Sequence, residues 1–213
     1  TKARQAVAEG IVLLRNEGNA LPLKAGVKVA LFGRSQFNYF KSGTGSGGMV
    51  NTSYVTGILD ALEEDEDIEV NPKVKETYEV WLKDHPFDAG RGWASEPWFQ
   101  EEMPLSEELV NEAKEASDVA IIIIGRTAGE DKDNKAEAGS YLLTEVEEQM
   151  LDLVCKTFER TIVLLNTGNI IDMKWVDKYS PSAVAYVWQG GQEGGNGVLD
   201  VLKGSVNPSG KLP

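Results

Sequence analysis

Val119-Ala120-Ile121-Ile122-Ile123-Ile124-Gly125 is followed at once by a polar loop, Arg126-Thr127-Ala128-Gly129-Glu130-Asp131. Seven uncharged, mostly β-branched residues read as a strand buried on both faces near the middle of a parallel sheet. Parallel sheets place their chemistry in the loops beyond the carboxyl ends of their strands. Glu130 lies in such a loop beside a glycine, which makes it the first candidate for a reactive side chain. The competing reading is a solvated charged turn formed by Arg126, Asp131, Lys132 and Asp133.

Outward from this strand, helix and strand patterns alternate. Residues 2–16 carry Ala3, Val7, Ile11 and Leu14 at helical spacing and predict one amphipathic helix. A strand is expected from Gly26 to Gly33, a helix face from Val55, Ile58, Leu59 and Leu62, and a short strand from Asp67 to Val70. Downstream, Ser106 caps a helix running to Ala116. Thr144-Glu145-Val146-Glu147 is a capping box opening another helix. Strands are expected at 161–165 and 183–188, with helices at 172–178 and about 194–203. The alternation implies an α/β fold, a three-layer α/β/α sandwich around a mainly parallel sheet of about six strands.

Two segments interrupt the rhythm. Arg34 to Asn51 is a glycine-rich loop containing Gly43-Thr44-Gly45-Ser46-Gly47-Gly48, and a loop of that length inside a compact domain is usually functional. It matches G-x-G-x-x-G, yet Gly43 falls ten positions after Gly33, too far to put a pyrophosphate on a helix N-terminus. A loop laid over a polar ligand, offering Ser46 and backbone N–H groups, fits better. Residues 71–104 read as an insertion with a helix near 73–83, and they hold Trp81, Trp93 and Trp98, three of the five tryptophans. Their aromatics either form a satellite core or a stacking surface for a flat ligand such as a sugar ring. The loops 166–169 and 188–193 leave the same sheet edge, with glycines suited to tight turns; Trp188 either packs in the core or lines a cleft.

The 213 residues carry a formal net charge of −13, which argues against nucleic-acid and anionic-membrane partners. No apolar run reaches membrane-spanning length, and no signal peptide is visible. Starting at Thr1 rather than Met, the chain reads as a fragment or a processed product. A single Cys155, inside an amphipathic helix, excludes an internal disulfide and reads as a structural thiol. The lone His85 leaves no basis for a histidine-centred triad or a multi-histidine metal site, and no cofactor is called for.

Seven segments, in order, carry a family resemblance. They are Glu9-Gly10-Ile11-Val12-Leu13-Leu14-Arg15-Asn16 with Leu21-Pro22-Leu23; Phe32-Gly33; Gly43-Thr44-Gly45-Ser46-Gly47; Ala128-Gly129-Glu130; Leu164-Leu165-Asn166-Thr167-Gly168; Trp188-Gln189-Gly190-Gly191-Gln192-Glu193-Gly194; and Asn207-Pro208-Ser209-Gly210-Lys211-Leu212-Pro213. Together they resemble the second, C-terminal-type domain of glycoside hydrolase family 3, the β-glucosidase-like group, over nearly the whole chain except 71–104. The resemblance implies one α/β sandwich domain spanning 1–213, packed against a (β/α)8 barrel of the same polypeptide that supplies an aspartate nucleophile. It implies a β-glucoside or oligosaccharide substrate, with Glu130 as general acid/base of a retaining β-glycosidase. Ser46, between Gly45 and Gly47, becomes a sugar contact. Glu137, also followed by a small residue and a glycine, is the alternative acid/base.

The run after the glutamate, Asp131-Lys132-Asp133-Asn134, lacks the aromatic and arginine often found in the family. Ser117-Asp118-Val119 imitates the nucleophile tripeptide but begins a strand at the wrong sheet edge. The general acid needs a pKa raised to roughly 6–7, whereas in the isolated domain Glu130 is expected to be solvated, ordinary in acidity and inactive. Two other classes stand beside this one: a stand-alone carbohydrate-binding module using Ser46, Glu130 and the 71–104 aromatics, and a nucleotide-binding α/β domain.

Overall fold

The computed structural model describes residues 1–213. A six-stranded sheet has the spatial order β1 (Val12–Asn16), β6 (Ala183–Tyr186), β5 (Thr161–Asn166), β4 (Val119–Gly125), β2 (Val27–Phe32), β3 (Ile68–Val70). All pairings are parallel except β1 with β6. β4, the stretch that anchors the sequence reading, is buried along its whole length between β2 and β5.

Its side chains alternate between two cores, as the pleat requires. Val119, Ile121 and Ile123 join a core under α1 (Lys2–Gly10), α2 (Ile58–Glu64) and α7 (Gly194–Leu202). Ala120, Ile122 and Ile124 join the opposite core, under α3 (Pro72–Leu82), α4 (Glu107–Ala116), α5 (Glu145–Thr157) and α6 (Lys174–Tyr179). Helices therefore cover both faces, giving the expected three-layer α/β/α sandwich.

One element differs from its pattern. The helix expected over 2–16 stops at Gly10, and Val12–Asn16 forms the antiparallel edge strand, Val12 facing Tyr186 and Asn16 facing Ala183. Ile11 and Val12 are buried, while Leu13 and Leu14 are largely exposed. An open β6 edge offers a ladder of hydrogen bonds, and that tertiary demand outweighs local helical spacing. Trp188 packs rather than lining a cleft: it sits 4.8 Å from the Tyr186 ring and its Nε1 donates to the Gly10 carbonyl at 3.0 Å. β6 accordingly ends at Tyr186, short of the expected 188.

Ser117 and Asp118 do terminate a helix and enter a strand. The Ser117 hydroxyl accepts from Asn71 Nδ2 at 2.9 Å, and Asp118 accepts the Lys28 N–H at 2.8 Å. Cys155 is half-buried and its thiol is pushed up to about 12, chiefly by burial, so it is no nucleophile.

The aromatics of 71–104 form no single cluster, and Tyr78 joins the core under α3 to α6. Tyr78 is wholly buried, whereas Phe87 and Trp93 are exposed. Trp81 stacks on His85 at 3.9 Å, with the Arg34 guanidinium 5.5 Å from its ring. The same segment contributes Glu102, a buried carboxylate that the sequence pattern does not single out. It accepts the N–H groups of Arg34, at 3.0 and 3.2 Å, and of Met103 at 2.8 Å. Burial, opposed by these donors, pushes its pKa up to about 7.

An acid whose folded pKa lies above its unfolded value holds extra protons when folded. Stability is then highest below the unfolded pKa of about 4.5 and declines as pH rises toward about 7. The decline is on the order of 3 kcal/mol. Glu102→Gln, which keeps an acceptor for both N–H groups, should flatten the curve across this window. Urea midpoints of the two proteins at pH 5 and pH 7.5 check it.

Candidate active site

The site lies where β4 ends and the 34–51 loop crosses it. Gly125 permits the crossing, because a Cβ there would fall 2.2 Å from Ser35 Oγ and 2.5 Å from the Phe40 ring. Asn166, at the end of β5 and fully buried, fixes the loop from the other side. Its Oδ1 accepts from Phe40 N at 2.8 Å, and its Nδ2 donates to the carbonyls of Phe40 at 2.9 Å and Trp188 at 2.7 Å. One amide thus ties together the ends of β5 and β6 and the glycine loop.

Beyond Gly125 the chain stays inside for three residues before emerging. Arg126 is 2% exposed, and its guanidinium meets Glu147 in a bidentate pair at 2.5 and 2.7 Å. The same guanidinium donates to the carbonyls of Gly125, Ser140 and Leu142. Glu147 also closes the capping box, accepting the Thr144 N–H at 2.8 Å while its own N–H donates to Thr144 Oγ1. The solvated-turn reading therefore fails for Arg126 and holds for the exposed Asp131 and Asp133. Deleting one partner of such a pair costs about 3–5 kcal/mol, since a buried charge is stranded.

Gly129 and Glu130 then reach the surface against the glycine loop, main chain on main chain. Thr44 N–H donates to the Ala128 carbonyl at 2.7 Å, and Thr44 Oγ1 to the Glu130 carbonyl at 2.9 Å. Gly129, at φ +119°, leaves no room for a side chain, because a Cβ would sit 2.5 Å from Thr44 N. Gly45, at φ +74°, presses directly on the Glu130 side chain; its Cβ would lie 2.4 Å from Oε2. Ser46 follows in a short 3-10 turn, Gly45–Met49, and donates twice to Glu130 Oε2, from its N–H at 3.0 Å and its hydroxyl at 3.1 Å.

Glu130, Ser46 and Gly45 are thus brought into one contact. Gly47 lies in the same turn, but a Cβ there would meet open space, so packing does not require its glycine. Glu137 sits in a tight turn, its N–H on the Lys135 carbonyl and its own carbonyl accepting from Ser140 and Leu142, whereas the Ser46 donors go to Glu130. The fingerprint Gly43-x-Gly45-x-x-Gly48 opens no α-helix; the next one, α2, starts at Ile58. In the two neighbouring loops, glycines serve close approach: a side chain at Gly168 would strike Gln189, and one at Gly190 would strike the Gly194 main chain and Tyr39.

Glu130 is solvated, as expected, but not ordinary. The Ser46 N–H and hydroxyl hold its pKa below the usual carboxylate value. Both donors go to Oε2, which leaves Oε1 free of protein partners. Thr44, Asn166 and the Arg126–Glu147 pair, which set this geometry, are absent from the sequence-based candidates. Thr44 and Asn166 lie in quoted motifs and Glu147 in the capping box, but no local signal points to the Arg126 pairing.

The family model for the glycosyl hydrolase family 3 C-terminal domain matches residues 11–213, and the chain belongs to that family. It is 54% identical to a β-glucosidase of Ruminococcus albus over 100% of this chain and 22% of that protein. It is 35% identical to β-glucosidase A of Butyrivibrio fibrisolvens, over 98% of this chain and 27% of that one. Among solved structures, a β-glucosidase from Paenibacillus barengoltzii superposes with a TM-score of 0.93 at 51% identity, covering 97% of this chain and 23% of that one. β-Glucosidase 3B from Thermotoga neapolitana, solved with glucose, gives 0.86 at 36% identity, covering 98% and 29%. The chain therefore spans about a quarter of the length of the relatives it matches.

If Ser46 sets the acidity of Glu130, removing its hydroxyl must raise that pKa while the backbone donor keeps it below an unperturbed carboxylate. Ser46→Ala should show this shift in a carboxyl-carbon NMR titration of the chain. An unchanged or lower value would contradict the hydrogen-bonded pair.

Proposed function

We propose that this chain supplies the general acid/base, Glu130, and a sugar-contacting serine, Ser46, to a retaining β-glycosidase acting on terminal β-glucosides. The carrying observation is the Glu130–Ser46 contact at the carboxyl edge of the central strand. Supporting it are the relatives named β-glucosidases, of which the chain is only a quarter. The remaining length would hold the barrel domain and the nucleophile, with 71–104 as an insertion in the sandwich. Met49, which ends the Gly45–Met49 turn, and Val50 after it are exposed apolar residues that suit a surface a neighbouring domain covers.

Retaining hydrolysis needs two carboxyl groups about 5–5.5 Å apart. In the first half-reaction the nucleophile attacks the anomeric carbon while Glu130 protonates the departing glycosidic oxygen. In the second, the Glu130 carboxylate takes a proton from the water that attacks the glycosyl-enzyme. The Ser46 donors favour the ionised state, which matches the second half-reaction. The first requires a protonated acid, and a covering barrel would raise the pKa by desolvation and by the nearby nucleophile's charge. Alone, the chain holds Glu130 in the base form and has no nucleophile partner for it. With Oε2 occupied by Ser46, Oε1 is the oxygen that carries the transferable proton.

In the full-length parent, Glu130→Ala should reduce turnover of substrates with poor leaving groups by about 10²–10⁴-fold. Aryl glucosides with very good leaving groups should still form the glycosyl-enzyme, and azide should restore turnover by giving the β-glucosyl azide. Equal loss across leaving groups, with no azide effect, would assign the role elsewhere. Glu137→Ala tests the alternative and should keep near-normal turnover.

A further inference from the structure

The Gly45–Met49 turn that puts Ser46 on Glu130 has a second side. There Gly45, Gly48 and Met49 line a recess of about 320 Å³, in whose lining Ser46 and Glu130 take no part. Its far wall comes from the 71–104 segment, through Phe87 and Ala89. The buried Phe40 completes it, its ring 6.2 Å from that of Phe87 and tilted by 55°. A single turn of chain thus carries the Glu130 contact on one side and the recess on the other.

The recess is apolar because the polar side chains around it are committed elsewhere. The Tyr39 hydroxyl accepts the Gly190 N–H at 2.9 Å, and Lys41 Nζ donates to Thr52 Oγ1 at 3.3 Å. Thr44 Oγ1 donates to the Glu130 carbonyl at 2.9 Å. Thr127 Oγ1 and Glu96 Oε2 are closed off from solvent, and so from the recess. What stays open is mainly hydrocarbon, with Phe87 42% exposed and Met49 69% exposed. Apolar surface left open beside a reactive group marks a binding surface.

The proposed chemistry selects the occupant. Glu130 protonates the oxygen that joins the sugar to its leaving group, so the leaving group departs beside this turn. The cleft on the other flank of the Glu130 loop, between Trp98 and Asp131, is charged: the Lys132 and Lys135 ammonium groups lie 5.9 and 4.9 Å from the Trp98 ring centre. Only the recess behind the turn suits an apolar group. Its volume is at the small end of ligand pockets, about 300–1,000 Å³, enough for a phenyl ring or a short alkyl chain. A second sugar there would leave its hydroxyls without partners, which costs binding.

We propose that Phe87 and Met49, with Phe40, bind the leaving group and select β-glucosides of apolar alcohols, aryl or alkyl, over those of sugars. This role rests on Glu130 as the general acid. The test compares n-hexyl with methyl β-glucoside in the full-length parent. Both release primary alkanols of similar acidity, so they make the same demand on the acid and differ in apolar length. Burial of the longer chain should raise kcat/KM for the hexyl glucoside tenfold or more over the methyl. Phe87→Ala, at an exposed position, should cut that ratio by about tenfold. Ala89→Phe, which fills the recess instead of widening it, should cut it as well. In both variants cellobiose cleavage should change less than hexyl glucoside cleavage, and turnover of methyl glucoside reports that they fold. An error in the acid assignment shows in Glu130→Ala, which would then slow neither glucoside; an error in the recess shows in the ratio. A parent ratio near one would overturn the proposal. So would a ratio that neither variant moves, the outcome expected if a side chain of the neighbouring domain fills the recess.

Discussion

The buried pair between Arg126 and Glu147 is the constraint on which Glu130 depends. β4 delivers the chain to the sheet edge, but a strand end alone does not aim the side chain five residues further on. Arg126 turns back inside, and its guanidinium gathers Glu147 at the start of α5 together with the carbonyls of Gly125, Ser140 and Leu142. Strand end, helix start and the far end of the intervening loop are pinned to one planar group. Arginine suits this work, since its donors form a rigid fork matched to carboxylate geometry. Between those fixed ends, Ala128 to Glu130 has one course, across the glycine loop.

The second constraint is contact between two main chains. Side chains at Gly45 or Gly129 would push the loops apart by more than any rotamer change can absorb. Their absence lets Thr44 bridge to Ala128 and Glu130, and so places Ser46 on Oε2. The result is a carboxylate preorganised in orientation but set, in this chain, to the basic side of its working range. Under the proposed role, orientation would come from within this fold and protonation from a covering domain.

How far sequence reveals such a site depends on the range of the interactions. β4 is legible because seven apolar residues in a row admit few alternatives in a chain of this composition. Glu130 and Ser46 are legible because glycine flanks and position after a strand are local signals, and because their motifs resemble those of a known family. The edge strand β1 is not legible, since Ile11 to Leu14 suits a helix until the open edge of β6 is present. Arg126 reads as one charge among several, because its partner lies 21 residues away inside another helix. Glu102 carries no local signal, yet it is buried over the Arg34 amide. Paired burial is a property of the assembled layers, and no local window contains it.

The most direct measurement is the carboxylate geometry of the full-length parent, with its nucleophile trapped by a 2-deoxy-2-fluoroglucoside and the structure solved. The Glu130 carboxyl should lie about 5–5.5 Å from the trapped carboxylate, facing the anomeric carbon, with Ser46 still on Oε2. A Glu130 turned away from the sugar, with Glu137 or another carboxylate at that distance, would contradict it.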